Sequence, residues 1–323
     1  MVRLYANPRY WMTGLLLGIF WLFHKSLPYR VKLPICRALG RVAYRVFPSR
    51  RSIAEVNLSL CYPDMSEADR NAMVRRNFEQ VFASILEVAI SWWGKDDGML
   101  DNVSIEGSEH IDNAIAQGKG VILIGAHFLT IELGAALVKK HIGESKVLHV
   151  VYRDQKNELI NAWSLRGRSR HVKNCINSKN SKQIVKAIRS KQMVWYAPDH
   201  DHGPQNTVFA PFFGHPAATL TTTATLAKIS GAPVIMMGTY RKSDYTGYSL
   251  KFQPPLENFP SDDDLQDASL VNRAIENAIS EAPDQYMWIH RRFKTQPGLP
   301  KSPLYGKDPH RKKKRPAKPT STT

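Results

Sequence analysis

Between Gly118 and Gly134 the chain reads Gly-Lys-Gly-Val-Ile-Leu-Ile-Gly-Ala-His-Phe-Leu-Thr-Ile-Glu-Leu-Gly. Val121 to Ile124 is apolar at every position and bounded by glycines, the pattern of a buried strand. His127 follows at once, and Glu132 comes five residues later, just inside a helix expected to reach Lys140. On one continuous helix, five residues place side chains about 140° apart, so the two would not meet. They can meet with His127 on the loop and Glu132 on the first helical turn. An imidazole held by a carboxylate is a general base, because the carboxylate fixes the tautomer and stabilises the charged ring. No Gly-x-Ser-x-Gly is present, so no protein nucleophile is evident, and the pair would instead deprotonate a hydroxyl of a second substrate. The competing reading is a strand–loop–helix unit with a structural histidine, and His-x4-Glu alone does not separate the two. His-Glu-x-x-His is missing and no second histidine lies one turn away, which argues against a metalloprotease pair.

The surrounding sequence repeats this alternation. Short strands are expected over Asp101 to Gly107, Val147 to Val151, Met193 to Tyr196 and Val234 to Gly238. Helices are expected over Glu109 to Gln117, Asn157 to Arg166, Ser181 to Ser190 and Thr219 to Ser230. Alternating strands and helices predict an α/β fold: a mixed, largely parallel sheet with helices on its faces. In such sheets substrates sit beyond the strand C-terminal ends, where His127 falls. Ser66-Glu-Ala-Asp69 has the form of a capping box, and Phe78, Val81, Phe82, Ile85 and Ala89 follow at helical spacing as a core stripe.

The N-terminus differs in character. Arg3 and Arg9 precede an apolar run from Trp11 to Phe23. Thirteen residues of helix cover about 20 Å, short of the roughly 30 Å hydrocarbon core of a bilayer. His24-Lys-Ser-Leu-Pro28 offers no small-x-small cleavage site, so an uncleaved membrane anchor, spanning or shallow, is preferred to a signal peptide or a core helix. Arg37, Arg41 and Arg45 then make a basic stripe beside Leu39, Val42, Val46 and Phe47, the pattern of a helix on a bilayer surface; an ordinary solvated helix face is the alternative. Residues 1–51 are therefore expected to form a membrane-associated N-terminal segment, 52–300 the globular domain and 301–323 a basic disordered tail centred on Arg311-Lys-Lys-Lys-Arg315. The net charge of +17 suits an anionic partner. For a chain already carrying an anchor, anionic lipid is a simpler target of the tail than nucleic acid. Cys36, Cys61 and Cys175 are scattered, which excludes a zinc or redox motif and suggests a reducing compartment.

Two further polar clusters fall at strand exits. Arg166-Gly-Arg-Ser-Arg170 suits bidentate binding of phosphate. Asp199-His-Asp-His202 has residue types that could ligate a metal, but four adjacent side chains do not readily share one ion, and a polar turn fits equally. Tyr286-Met-Trp-Ile-His-Arg-Arg-Phe-Lys294 mixes aromatic and basic side chains that could stack on bases, contact phosphates or cover apolar surface.

Taken together, Ala126-His-Phe-Leu-Thr-Ile-Glu-Leu-Gly134, Tyr152-Arg153, Arg166-Gly-Arg168, Trp195-Tyr-Ala-Pro-Asp-His-Asp201, Phe209-Ala-Pro-Phe-Phe-Gly214 and Trp288-Ile-His-Arg-Arg-Phe-Lys294 occur in order. This set closely resembles the late acyltransferases of lipid A biosynthesis, the lauroyl/myristoyl transferase family of Gram-negative bacteria. The resemblance runs from the N-terminal segment to Pro297 and excludes the basic tail. It implies a glycerolipid-acyltransferase-like fold at the cytoplasmic face of the inner membrane. It also implies transfer of a fatty acyl chain from acyl carrier protein to a hydroxyl of a phosphorylated lipid A precursor, with no cofactor and no metal. It places His127 and Glu132 as catalytic residues and Arg153, Arg166, Arg168, Asp199, Asp201 and Arg291 as substrate-site residues. Inner-membrane lipids are implied partners, and nucleic acid is not. The sequence departs from the family pattern at His200, commonly Gln, and at Asp154-Gln-Lys156. A thioesterase, a lysophospholipid acyltransferase and a non-catalytic binder of anionic lipid or nucleic acid remain as alternatives.

Overall fold

A computed structural model describes residues 2–143, 145–299 and 303–306. The N-terminal third is helical: α1 (Val2–Ala6), α2 (Trp11–Ser26), α3 (Tyr29–Val46), α4 (Pro48–Cys61) and α5 (Glu67–Trp93). Strands and helices then alternate as β1 (Val103–Glu106), α6 (Ser108–Ala116), β2 (Val121–Ile124), α7 (Ile131–Ile142), β3 (Leu148–Tyr152), α8 (Glu158–Arg168), β4 (Asn174–Asn177), α9 (Ser181–Arg189) and β5 (Met193–Tyr196). A hairpin of β6 (Thr207–Phe212) and β7 (His215–Leu220) leads to α10 (Thr222–Ser230), β8 (Val234–Arg241), β9 (Tyr248–Pro255) and α11 (Asp264–Glu281).

Seven strands make the central sheet in the order β1-β9-β8-β2-β5-β3-β4. The five from β8 to β4 are parallel; β9 is antiparallel to β8, and β1 is parallel to β9. The mixed, largely parallel α/β sheet is thus as the sequence predicts. β2 lies inside it, and its side chains alternate between two cores. Ile122 and Ile124 join the cluster that includes Ile184 and Ile188 of α9, while Val121 and Leu123 join the one that includes Leu133 and Leu137 of α7. A strand buried on both faces has no polar alternation, which is why its sequence is an unbroken apolar run. Gly120 has φ +83°, and a Cβ there would sit 2.3 Å from the carbonyl oxygen of Ile188. At Gly134 a Cβ would come within 2.5 Å of the Trp195 indole, so α7 approaches the sheet only because that position is bare.

Ser66 caps α5 by accepting from Asp69 N–H at 3.1 Å. Phe78 and Ala89 of the expected stripe are buried, but Ile85 is 37% exposed; Leu86 and Ile90 are buried in its place. The helix expected from Thr219 begins at Thr222, because Thr219 belongs to β7.

At the N-terminus the structure corrects the sequence reading. No described helix is long and apolar enough to cross a membrane, so the transmembrane helix is not supported. α2 has 16 residues, and Trp11, Met12, Leu15, Leu16, Ile19 and Leu22 are exposed on its outer side. The basic stripe of α3 is partly paired by the protein itself: Arg37 and Arg41, still half-exposed, meet Glu79 of α5 at 2.9 and 3.3 Å. Leu39, Val42, Val46 and Phe47 face out, as do Val31, Ile35 and Arg45. Buried polar groups hold the α2–α3 elbow to the end of α5. His24 Nε2 bonds the Gly94 carbonyl at 2.6 Å, and Lys32 Nζ reaches Asp97 at 3.5 Å. The basic tail from Lys307 lies outside the described residues; just before it, Tyr305 is buried, and its hydroxyl donates to Asn57 at 2.6 Å.

Candidate active site

β2 and β5 are parallel neighbours, so the loops leaving their C-terminal ends lie side by side. His127 is in the first loop, and Asp199 and His200 are in the second. The segment after α11 completes the site. An antiparallel bridge pairs Phe128 with Tyr286, with Met287 N–H donating to the His127 carbonyl at 3.1 Å and Leu129 N–H to that of Gln285 at 2.8 Å. This irregular backbone is clamped from behind by two buried asparagines. Asn77 of α5 donates to the carbonyls of Asp284 and Tyr286, and Asn57 of α4 to those of Trp288 and His290. Side-chain amides here satisfy carbonyls that no strand or helix would.

The carboxylate that meets His127 is Asp199, not Glu132. Asp199 is fully buried. Its Oδ1 lies 2.7 Å from His127 Nδ1, and its Oδ2 accepts from His127 N–H at 3.0 Å and from the Tyr286 hydroxyl at 2.9 Å. Burial alone would raise its pKa, but the imidazole beside it and these hydrogen bonds outweigh that and hold the carboxyl well below the usual range. Burial, with the Asp199 charge, keeps the Tyr286 hydroxyl protonated as a donor. An ionised carboxylate only accepts, so His127 Nδ1 carries the hydrogen and Nε2 presents its lone pair. The His127 side chain is 26% exposed, so it is open to a bound reactant. The arrangement is that of a general base with an orienting carboxylate.

Three imidazoles are stacked here. The ring of His200 lies 3.4 Å from that of His127 at 9°, and the ring of His290 lies 3.7 Å from His200 at 16°. Burial pushes His200 down to about 2, helped by the neighbouring His127, and pushes His290 down to about 4. Both are neutral at neutral pH. Ligand atoms of His127, Asp199 and His200 lie within 4.8 Å of one another, and these residue types suit a transition-metal ion. The stacking opposes shared coordination. A metal lies near the plane of each imidazole that binds it, and two near-parallel planes about one ring thickness apart share no such point. Asp199 is also already occupied by three donors.

Glu132 faces Arg168 instead. The guanidinium forks onto the carboxylate, with Nε 3.2 Å from Oε2 and Nη2 against Oε1, and both side chains are mostly buried. Burial opposes the charge on Arg168, but Glu132 more than compensates and raises its pKa. No hydrogen bond or ion pair joins either residue to His127 among the described residues. Two of the three guanidinium nitrogens expected to meet phosphate are therefore held by the protein.

The other expected substrate-site residues separate into two groups. Asp201 is buried and accepts from Thr295 N–H at 2.7 Å, with Lys294 3.6 Å away, so it ties the β5 loop to the chain after Phe293. Arg291 lies over the Tyr305 ring at 5.8 Å. Arg153 is exposed and, with Lys156, lines an open cleft of about 480 Å³. Partial burial first, and the Arg153 charge second, lower the pKa of His202. Arg166 is exposed beside Trp163. Tyr286 and His290 carry site geometry that sequence reasoning missed. Both fall in the aromatic-basic run near the C-terminus, but nothing in that run says which strand exit it meets.

The profile of the bacterial lipid A biosynthesis acyltransferases matches residues 2–295. The lipid A biosynthesis lauroyltransferase of Escherichia coli K12 is 42% identical over 296 residues, covering 91% of this chain and 95% of that protein. The lipid A biosynthesis palmitoleoyltransferase of the same organism is 37% identical over 304 residues, covering 94% and 97%. The lipid A biosynthesis myristoyltransferase of that organism is 28% identical over 297 residues, covering 90% of each. A sheet whose strand exits assemble a buried carboxylate and an accessible imidazole, matched to such relatives over nearly its whole length, belongs to the bacterial lipid A biosynthesis acyltransferases.

Proposed function

We propose that this acyltransferase moves a fatty acyl chain from the thioester of acyl carrier protein to a hydroxyl on an acyl chain of a phosphorylated, Kdo2-lipid IVA-type precursor. His127 is the general base. Its Nε2 takes the hydroxyl proton, the resulting alkoxide attacks the thioester carbonyl, the carbon–sulfur bond breaks, and the thiolate leaves with the proton that His127 held. Asp199 orients the ring and stabilises its charged form. The observation that carries this reading is the 2.7 Å contact between His127 Nδ1 and the buried Asp199, which leaves Nε2 as the basic nitrogen.

A covalent acyl-enzyme is not part of the reading. Burial pushes the thiol of Cys36 up to about 11 and raises that of Cys61 still further, so neither is a thiolate nucleophile at neutral pH. Glu132 takes its part in the site by fixing Arg168, and Arg153 and Arg166 supply exposed positive charge for acceptor phosphates. The exposed apolar faces of α2 and α3 support contact with the cytoplasmic surface of the inner membrane, lying in the interface rather than crossing it.

Mass spectrometry of reactions with the purified full-length protein tests the assignment. Acyl carrier protein thioester is offered with the phosphorylated lipid A precursor, with a lysophospholipid, or with no acceptor. Product with the first acceptor well above the others is expected. Free fatty acid formed equally fast without acceptor would make the protein a thioesterase and overturn the reading.

A further inference from the structure

Between Glu158 and Asp199 the chain carries nine Lys and Arg and no acidic side chain. Folding gathers six of these charges on α9 and on the segments that flank it and lead into β4. Lys182, Lys186 and Arg189 recur at i, i+4 and i+7 of α9, a single helix stripe, and all three are exposed. Lys179 precedes the helix, Lys191 follows it, and Lys173 leads into β4; these too are exposed. None of the six makes an ion pair among the described residues, and Arg189 spends its guanidinium on the Ile229 carbonyl. Asp154, which meets the end of β4, accepts from Asn161 and Asn177. A charged face this one-sided, with no ion pair to it among the described residues, suits an anionic partner.

A bilayer and an acidic protein are the two candidate classes, and the surface distinguishes them. Membrane-seeking faces combine charge with inserted apolar side chains. The α2–α3 surface has those side chains. α9 has none: Ile184, Ala187 and Ile188 are buried, and the outer face is entirely polar. α9 also covers the sheet face carrying Ile122 and Ile124, whereas Phe23 of α2 and Tyr29 and Cys36 in the first half of α3 join the cluster under the opposite face; Ala43, later in α3, joins the same cluster as α9. The patch has reach to the chemistry as well. α9 starts at the C-terminal end of β4, the same sheet end as His127, and β4 is three strand positions from β2, about 15 Å.

We propose that the outer face of α9, with Lys182, Lys186 and Arg189, is where the acidic protein that carries the acyl donor docks. The inference rests on the reading that the donor is a protein-bound thioester. α9 runs from the strand exits back towards the start of β5, so docking there sets the carrier beside the strand exits at its Lys182 end, and its flexible thioester arm crosses to His127 while the acceptor enters from the membrane side. Complementary exposed charge acts mainly on encounter and register, so the signature is a salt-sensitive affinity rather than a change at the reacting atoms.

The test uses the full-length protein with Lys182, Lys186 and Arg189 all changed to Glu, beside a version with all three changed to Gln. Direct binding of acyl carrier protein, KM for its acyl thioester, and transfer from uncharged acyl-pantetheine are measured together. The Glu version is expected to weaken carrier binding and raise that KM by about 10- to 100-fold, with the Gln version between it and wild type. Transfer from acyl-pantetheine stays at the wild-type rate, and added salt weakens wild-type carrier binding more than that of the Glu version. Unchanged carrier binding, equal loss with acyl-pantetheine, or lost binding to anionic phospholipid vesicles with carrier binding intact would each overturn the proposal. Patch-dependent carrier binding in a protein that transfers from neither donor would support the docking surface while removing the proposed reaction.

Discussion

Replacing Asp199 by Asn keeps the shape of the side chain and removes its charge. The three contacts of Asp199 show why no orientation of the amide works. His127 N–H and the Tyr286 hydroxyl converge on Oδ2, and His127 Nδ1 meets Oδ1. With the amide oxygen in the Oδ2 place, the NH2 faces Nδ1. The ring then shifts its hydrogen to Nε2, which can no longer accept a proton. With the oxygen in the Oδ1 place, the tautomer survives, but the NH2 abuts the His127 backbone N–H, which can only donate. A buried donor left unpaired costs about 1–3 kcal/mol of stability. In both cases the charge that stabilises imidazolium is gone. Behind a histidine base in Ser-His-Asp enzymes, the same exchange costs about 10⁴ in kcat. The expectation here is a fall of about 10³–10⁴, or about 4–5.5 kcal/mol in the barrier. Single-turnover transfer from acyl carrier protein thioester under saturating acceptor reads this directly, with thermal melting as the control for folding. A rate within tenfold of wild type, in a protein that melts normally, would refute the role given to Asp199.

Arg168→Lys keeps charge but loses the fork onto Glu132, so activity should fall about 10-fold or more and Glu132→Gln should fall comparably; additive losses in the double variant would show that the two do not act as a pair. His200 and His290 have native pKa values of about 2 and about 4, below the roughly 6.5 of an unfolded histidine. The unfolded chain therefore binds more protons below that value, so stability is full above about pH 6.5 and declines progressively as pH falls towards 4. Urea midpoints measured from pH 7.5 to 4.5 should show the decline, and His290→Phe should flatten it. Leu15→Glu with Ile19→Glu, on the exposed face of α2, should weaken partition onto anionic vesicles by about 10-fold or more in flotation assays. Unaltered flotation would move the membrane contact elsewhere.

The sheet is legible in the sequence where burial is complete, and the candidate site where a single loop suffices. β5 runs from Met193 to Tyr196 as read, and β2 is legible because both of its faces are covered. β4 was missed because it is a polar edge strand, Asn-Cys-Ile-Asn, with one buried residue. β9 does alternate, burying Tyr248, Leu250 and Phe252, but the prolines at its end conceal the pattern. In the site, His127 announced itself at a strand exit. Its carboxylate did not, because Asp199 lies 72 residues away and the two loops meet only through the pairing of β2 with β5. Glu132 looked like the partner because it is near in sequence, yet the helix that carries it turns it to Arg168. At the N-terminus, apolar content was legible but depth was not: α2 and α3 show outward apolar faces, and neither is a span.

The central claim is that His127 removes the acceptor proton. Purified His127→Ala, assayed by mass spectrometry with acyl carrier protein thioester and the phosphorylated lipid A precursor, measures it. A protein that folds, binds vesicles and binds both substrates as wild type does, but transfers about 10²–10⁴ times more slowly, is the predicted result. Transfer at close to the wild-type rate would contradict it.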